Sequence, residues 1–283
     1  MMAPEVLIKA AATVGEGPVV DPRTGRLCWV DIVGGWVYQN DLGSGDQTAH
    51  HFDTMVGAIA PRAAEAGFAA AVSDGFALIR DGEPTIIDPV LSDPDYRMND
   101  AKCDSAGRLW AGSTHLEFEP GRGRLHRWDG SSPSSVLASG FTLPNGIGWS
   151  PDDRTMYLAD SFAHVLLRAD FDADDGVVGE FSTLCEIDGL PDGLAVDADG
   201  CLWLAVWGES QVRRIRPDGT LASVVEMPVS KPSSCAFGND GTLYITSARA
   251  DLTDEELIAQ PLAGSVFAMA TDTSGVPVAP FRG

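Results

Sequence analysis

A short turn-and-strand unit recurs six times along the chain, and it constrains the fold more than any other feature. Each unit is an Asp- or Gly-containing turn followed by an apolar run, as in DSAGRLWAG from Asp104 and DADGCLWLAV from Asp197. The turns recur at steps of 40 to 47 residues, and a further strand-like run follows each, such as WVYQND from Trp36. Short runs closed by Asp-Gly turns are typical of β-strands in hairpins. The repeat therefore predicts an all-β fold, a six-bladed β-propeller of four-stranded antiparallel blades.

The last repeat lacks a fourth strand, because the sequence ends in PFRG at 280–283 soon after the run SVFAM from Ser265. The N-terminal run EVLIKAA at 5–11 has no partner among the six repeats and can supply the missing strand. Such pairing would remove an exposed sheet edge, which otherwise invites aggregation. We therefore expect a ring closed by the N-terminal strand and one domain over residues 1–283.

The charge balance excludes several classes of partner. The chain has 19 Lys and Arg against 41 Asp and Glu, a net charge of −22, which disfavours nucleic acid and anionic membrane surfaces. No apolar run approaches the length of a membrane span, the N-terminus has no basic leader, and the 5 cysteines show no CxxC spacing. We expect a cytoplasmic protein, a monomer or weak homo-oligomer, with no nucleic-acid or membrane partner.

Two long loops mark one face of the predicted disc as the working face. They join second and third strands, at 113–123 in blade three and 247–264 in blade six, and the latter contains a capping-box pattern from Thr253 that predicts a short helix. His115 lies in the first loop, and we expect it to bind substrate. Trp207 ends a second strand on this face and is a candidate to line the pocket. Trp29, Trp110 and Trp203 lie within second strands and are expected to pack between blades.

Four inner strands carry an oxygen donor at the same position. Glu16, Asn99, Asn145 and Asp192 each stand 8 or 9 residues before the turn of their blade. Each residue alone is compatible with an ordinary turn or strand end, where Asx residues are common. Together they predict a ring of donors at the axis that would suit a hard divalent cation. Two carboxylates that converge there would repel each other unless a cation lay between them.

These residues belong to an ordered set of motifs: GEGP at 15–18, RMND at 97–100, NGI at 145–147 and PDG at 191–193. The set resembles the family that includes regucalcin (senescence-marker protein), gluconolactonase and luciferin-regenerating enzyme. The likeness runs from about Glu16 to the C-terminal stretches SSCAFG and LYITSAR. It implies a six-bladed propeller with one divalent cation at the axis, calcium or zinc ahead of magnesium or manganese.

Carried over position by position, the resemblance makes Glu16, Asn145 and Asp192 the metal ligands. It makes Arg97, Asn99 and Glu117 substrate-binding residues. The loop at 113–123 departs from the regucalcin pattern, with His115 and a second acid nearby, and this leaves the choice of substrate open.

The resulting hypothesis is metal-dependent hydrolysis of sugar-acid lactones, a small-molecule substrate class. Asp192 would be the catalytic residue, a general base that takes a proton from water. Two alternatives remain open at this point: an organophosphate hydrolase that uses the same site, and a calcium-binding propeller without enzymatic activity. No nucleophile-elbow, P-loop or HExxH motif is present in the sequence to support other chemistry.

Overall fold

The computed structural model describes residues 3–131 and 133–283 and confirms the six-bladed propeller. Each blade is an antiparallel sheet whose strands follow the chain from the axis outward. The exception is the last blade, whose outer strand comes from the N-terminus. Within the described ranges, no helix combines the length and the apolar character that a membrane span requires.

The first three blades follow the repeat closely. Blade one contains β2 (Gly15–Val20), β3 (Leu27–Asp31), β4 (Trp36–Asn40) and β5 (Gln47–His51). Blade two contains β6 (Val56–Pro61), β7 (Phe68–Val72), β8 (Gly75–Arg80) and β9 (Glu83–Asp88). Blade three contains β10 (Tyr96–Cys103), β11 (Leu109–His115), β12 (Gly123–Trp128) and β13 (Ser135–Phe141).

The last three blades include the two departures from a regular repeat. Blade four contains β14 (Pro144–Trp149), β15 (Thr155–Asp160), β16 (Val165–Asp172) and β18 (Ser182–Glu186), with the short β17 (Val177–Val178) paired to the end of β16. Blade five contains β19 (Leu190–Val196), β20 (Leu202–Trp207), β21 (Gln211–Ile215) and β22 (Leu221–Glu226). Blade six contains β23 (Pro232–Phe237), β24 (Thr242–Ser247), β25 (Val266–Ala270) and β1 (Glu5–Ile8).

The N-terminal strand closes the ring, as predicted. β1 pairs antiparallel with β25, with Glu5 opposite Ala268, and it ends at Ile8, three residues before the end of the predicted run. The chain then stays against blade six, where the amide of Ala12 donates to the carbonyl of Gly264 at 3.1 Å. The pairing covers the edge of β25, so blade six has four strands like its neighbours.

The loop before β25 contains the predicted short helix, α1 (Asp254–Ala259). The side chain of Thr253 accepts from the amide of Glu256 at 3.3 Å, and the Glu256 carboxylate accepts from the amide of Thr253 at 2.8 Å. This reciprocal pair is the capping box that the sequence predicts.

The Asp and Trp residues of the repeat form buried hydrogen bonds that hold the blades. In blade three, the Asp104 carboxylate accepts from the indole of Trp110 at 2.9 Å. In blade five, Asp197 accepts from the indole of Trp203 at the same distance, and also from the guanidinium of Arg214 at 2.8 Å. Both Asp and Trp are fully buried in each pair, and each carboxylate and indole N–H there has a hydrogen-bond partner. The predicted packing role of these tryptophans agrees with this burial.

The C-terminal residues cross the face of the disc opposite the long loops, a path that the repeat pattern does not reveal. The amide of Val276 donates to the carbonyl of Val196 at 2.9 Å, and the amide of Phe281 donates to the carbonyl of Pro61 at 2.8 Å. The Phe281 ring is fully buried and stacks on Trp128, with ring centroids 4.8 Å apart. The tail therefore links blade five to blades two and three.

This packing predicts that Phe281→Ala destabilises the propeller. Loss of a buried ring leaves a cavity, so the free energy of unfolding should fall by about 3–5 kcal/mol in urea titrations. The control is Val278→Ala in the same tail, where the side chain is 39% exposed and the loss should be well under half as large. An unchanged free energy of unfolding in Phe281→Ala would show that this ring does not hold the blades.

Candidate active site

Every inner strand has an irregular register at the same level, and this irregularity shapes the site. A register shift separates consecutive residue pairs in all six: Glu16/Val19, Val56/Ala58, Met98/Ala101, Pro144/Ile147, Pro191/Leu194 and Pro232/Ser234. A β-bulge bends the strand and changes the direction of its side chains. The bulges therefore explain why residues at one sequence position of each repeat face the axis.

Two glycines at these bulges allow the inner strands to approach each other. A Cβ atom on Gly146 would collide with the carbonyl oxygen of Asp192, and one on Gly193 would collide with the side chain of Ser234. The Asn-Gly and Asp-Gly pairs therefore serve close packing around the axis instead of a hairpin turn.

A cavity of about 490 Å³ opens above the bulges on the face that carries the long loops. Five of the residues singled out in the sequence line it together: Glu16, Arg97, Asn99, Asn145 and Asp192. We call these five residues the polar floor. All except Arg97 are buried, and Arg97 is half-buried. Trp207, which the sequence places at the end of a second strand on this face, also lines the cavity.

His115 and Glu117 are not among the residues that line this cavity. The Glu117 side chain is exposed to solvent, and the amide of Glu117 donates to Nδ1 of His115 at 3.2 Å. The His115 ring packs edge-on against Tyr96, with ring centroids 5.2 Å apart. Their roles in substrate binding remain predictions.

Hydrogen bonds fix Asn145 beside Asp192. The amide nitrogen of Asn145 donates to Ser161 Oγ at 3.1 Å and to the Asp192 carboxylate at close range. Ser161 in turn donates to the carbonyl of Pro191 at 2.7 Å. The Asn145 amide thus uses both N–H groups within the protein, and its oxygen is the atom left to bind a ligand.

A second hydrogen-bonded pair holds Arg97 at the same cavity. The Arg97 guanidinium donates to Asn99 Oδ1 at 2.7 Å, and the Asn99 amide donates to the carbonyl of Pro144 at 3.2 Å. Arg97 is therefore oriented by the inner strand of the next blade, with further N–H groups available to a bound molecule.

Buried charge strongly perturbs these groups. Burial raises the pKa of the Glu16 carboxyl well above its usual range, and the charges of Asp192 and Asp100 raise it further. Burial likewise raises the pKa of the Asp192 carboxyl well above its usual range, and the charge of Asp100 raises it further. Burial also lowers the pKa of Arg97 to about 10, despite the opposing effect of both acids. Perturbed acids of this kind are concentrated at functional sites.

Asp100 and Lys102 complete this charge cluster, and neither was assigned a role from the sequence. Asp100 is buried beside the polar floor, and Lys102 donates from Nζ to the carbonyl of Leu194 at 2.6 Å. Burial raises the pKa of Asp100 and lowers the pKa of Lys102. The sequence did contain a signal, since Asp100 stands at the bulge position that Gly146 and Gly193 occupy in other blades.

The cluster has three carboxyl groups and two basic side chains, so its full ionisation leaves one unbalanced negative charge. Within 3–131 and 133–283, no three His, Cys, Asp or Glu side chains are grouped so as to hold a metal ion. A cation here would need the amide oxygen of Asn145 besides the carboxylates of Glu16 and Asp192. That all-oxygen set fits a hard divalent cation in chemistry and in charge.

The comparisons with known proteins agree with this architecture. Residues 14–249 match the SMP-30/gluconolactonase/LRE-like region. L-arabinolactonase of Azospirillum brasilense is 35% identical over 280 residues, which cover 96% of this chain and 93% of that protein. The 6-deoxy-6-sulfogluconolactonase of Pseudomonas putida is 32% identical over 287 residues, with 98% of each chain covered.

Among solved structures, a calcium-binding protein, regucalcin, from Agrobacterium tumefaciens matches with a TM-score of 0.93 at 30% identity. The match covers 99% of this chain and 97% of that one. Because the family match spans most of the sequence, the chain belongs to the SMP-30/gluconolactonase/LRE-like family.

Proposed function

We propose that this protein hydrolyses sugar-acid lactones and that Glu16, Asn145 and Asp192 hold a divalent cation for the reaction. The observation that carries the proposal is the convergence of two buried carboxylates and one amide oxygen at a single cavity. Both carboxyl groups have strongly raised pKa values there. The names of two relatives, L-arabinolactonase and 6-deoxy-6-sulfogluconolactonase, support a lactone as the substrate class. The name of a structural neighbour, a calcium-binding regucalcin, supports a divalent cation.

Asp192 is the proposed general base. Its carboxylate takes a proton from a water molecule whose oxygen forms a bond to the lactone carbonyl carbon. When the bond between that carbon and the ring oxygen breaks, Asp192 returns the proton to the departing oxygen, and the product is an open-chain hydroxy acid.

The other residues of the polar floor bind and orient the substrate. Arg97, held by Asn99, directs N–H groups toward the charge that develops on the carbonyl oxygen, or toward substrate hydroxyls. A bound divalent cation would supply Lewis acidity at the same carbonyl. Because four of the five residues of the polar floor are buried, their electrostatic interactions are stronger than they would be in bulk water.

Loss of the proposed base should abolish most turnover. We expect Asp192→Asn to lower kcat for lactones by about 10²–10⁴-fold, the usual contribution of a general base. A pH-indicator assay over a panel of aldonolactones measures this loss. The control is Asp188→Asn, which removes an exposed acid just before the same inner strand. Unchanged turnover in Asp192→Asn would exclude this residue as the base.

Removal of divalent cations should also abolish turnover. We expect protein stripped with EDTA to be inactive and to recover when calcium, zinc, magnesium or manganese is added singly. Glu16→Gln should raise the concentration of cation needed for half-maximal recovery, because one carboxylate ligand is lost. Full activity in EDTA would contradict the cation requirement.

The same carboxylates should destabilise the cation-free fold. Because their pKa values are raised on folding, their ionisation costs stability at pH 7, above the pKa of the unfolded chain. Glu16→Gln should therefore raise the melting temperature in EDTA, by about 2–4 °C for each 1 kcal/mol of unfavourable energy removed. Asp188→Asn should leave it nearly unchanged. A lower melting temperature for Glu16→Gln would refute this account of the cluster.

A further inference from the structure

The mouth of the cavity has a different chemistry from its floor. Phe118, from the loop between β11 and β12, and Phe162, from the loop after β15, both line the cavity. Their ring centroids are 4.8 Å apart and the rings are inclined by 33°. We call this pair the aromatic gate. It brings together side chains from neighbouring blades above the polar floor.

Phe118 adopts a backbone conformation that is unusual for its side chain. Its φ is 52°, in the left-handed region, which is unfavourable for a bulky residue. Such strain persists only where the surroundings enforce it, and it is concentrated at ligand-binding positions. The amide of Phe118 donates to the carbonyl of His115 at 2.9 Å, which closes the turn that imposes this conformation.

A tether on the outer side of the loop explains why Phe118 faces the cavity. Arg122 donates from Nε to the Tyr96 hydroxyl at 2.6 Å, and the His115 ring packs against the same tyrosine. These contacts fasten both ends of the loop to β10. In the resulting turn the Glu117 side chain is exposed to solvent, while Phe118 lines the cavity.

Phe162 has a fixed base but an exposed ring. It follows Ser161, which is buried and hydrogen-bonded to Asn145 and to the carbonyl of Pro191. The Phe162 side chain remains 42% exposed, so core packing does not account for an aromatic residue at this position. Together with Phe118 it presents an apolar surface to any molecule bound on the polar floor.

The residues that line the mouth differ in what they can bind. Thr13 and Asp251 lie among the lining residues contributed by the N-terminal segment and blade six, and they can meet ring hydroxyls. The gate offers no hydrogen-bonding group from its side chains. A hydroxyl buried against the two rings would lose its water without a replacement, whereas a methyl group would gain from burial there.

We propose that the aromatic gate selects sugar lactones whose exocyclic arm ends in a methyl group over those whose arm ends in a hydroxymethyl group. This rests on the proposed lactone hydrolysis, because a carbonyl that reacts at the polar floor leaves the opposite end of the substrate toward the mouth. Phe118 and Phe162 are thus specificity-determining residues within the proposed site.

A matched pair of substrates tests the gate. L-fucono-1,4-lactone and L-galactono-1,4-lactone differ only in a terminal methyl or hydroxymethyl group. We expect the wild-type protein, loaded with its cation, to prefer the methyl compound by about 10-fold or more in kcat/KM. Phe118→Ala and Phe162→Ala should each lower this ratio toward one, mainly by raising KM for the methyl compound.

Two control variants separate the gate from general effects. Leu116→Ala changes an exposed apolar residue of the same loop that does not line the cavity. Phe181→Ala breaks a different aromatic pair, with Phe141, outside the cavity. Both should keep the wild-type ratio. Equal kcat/KM values for the two lactones in the wild type, or an unchanged ratio in both gate variants, would overturn the proposal.

Failure of the gate and failure of lactone hydrolysis can be told apart. If neither lactone is hydrolysed, the proposed function fails, and isothermal titration calorimetry with the same two compounds then tests the gate. A lower Kd for the methyl compound in the wild type, lost in Phe118→Ala, supports the gate. Equal Kd values, or no measurable binding, overturn it.

Discussion

The pairing of β1 with β25 is the interaction on which the rest of the molecule depends. It turns six separate sheets into a closed ring, so that the six inner strands must share one axis. β2 follows β1 directly and contains Glu16. Ring closure therefore brings this carboxylate to the same cavity as Asn145 and Asp192, which are more than 100 residues away in the sequence. The crowding of inner strands then requires the bulges, and small residues such as Gly146 where backbones meet.

Buried carboxyl groups have two opposite effects on the stability of this fold. Asp104 and Asp197 lie in the wall of the ring, where indole and guanidinium groups donate to them, and these carboxylates stabilise the blades. At the axis, Glu16 and Asp192 lie near a third acid, and their ionisation is unfavourable. A fold that tolerates this burial and repulsion of charge sacrifices stability at the proposed site, which is the usual relation between stability and activity. The proposed cation would offset it.

Much of the fold and part of the site could be predicted because both follow from the repeat. The Asp-Gly turns define the blades, the unpaired N-terminal run indicates the closing strand, and the residues from Thr253 indicate α1. Counting back from each turn identifies four residues of the polar floor, all except Arg97, because equal positions in equal blades face the same axis. The shared register shift of the inner strands explains why this count works.

The remainder could not be predicted because it depends on contacts between distant segments. The orientation of Phe118 toward the cavity follows from the turn closed by its bond to His115 and from the contacts of this loop with Tyr96. The path of the C-terminal tail likewise depends on where Phe281 finds a buried partner.

By itself, then, the sequence determined the number of blades, the closing strand and the set of oxygen donors, since these are periodic properties of the chain. Only the tertiary structure decided the electrostatic state of those donors, the contribution of Asp100 and Lys102, and the apolar mouth above them. The physical reason is that burial, charge coupling and loop orientation are set by neighbours across the ring, which a one-dimensional pattern does not contain.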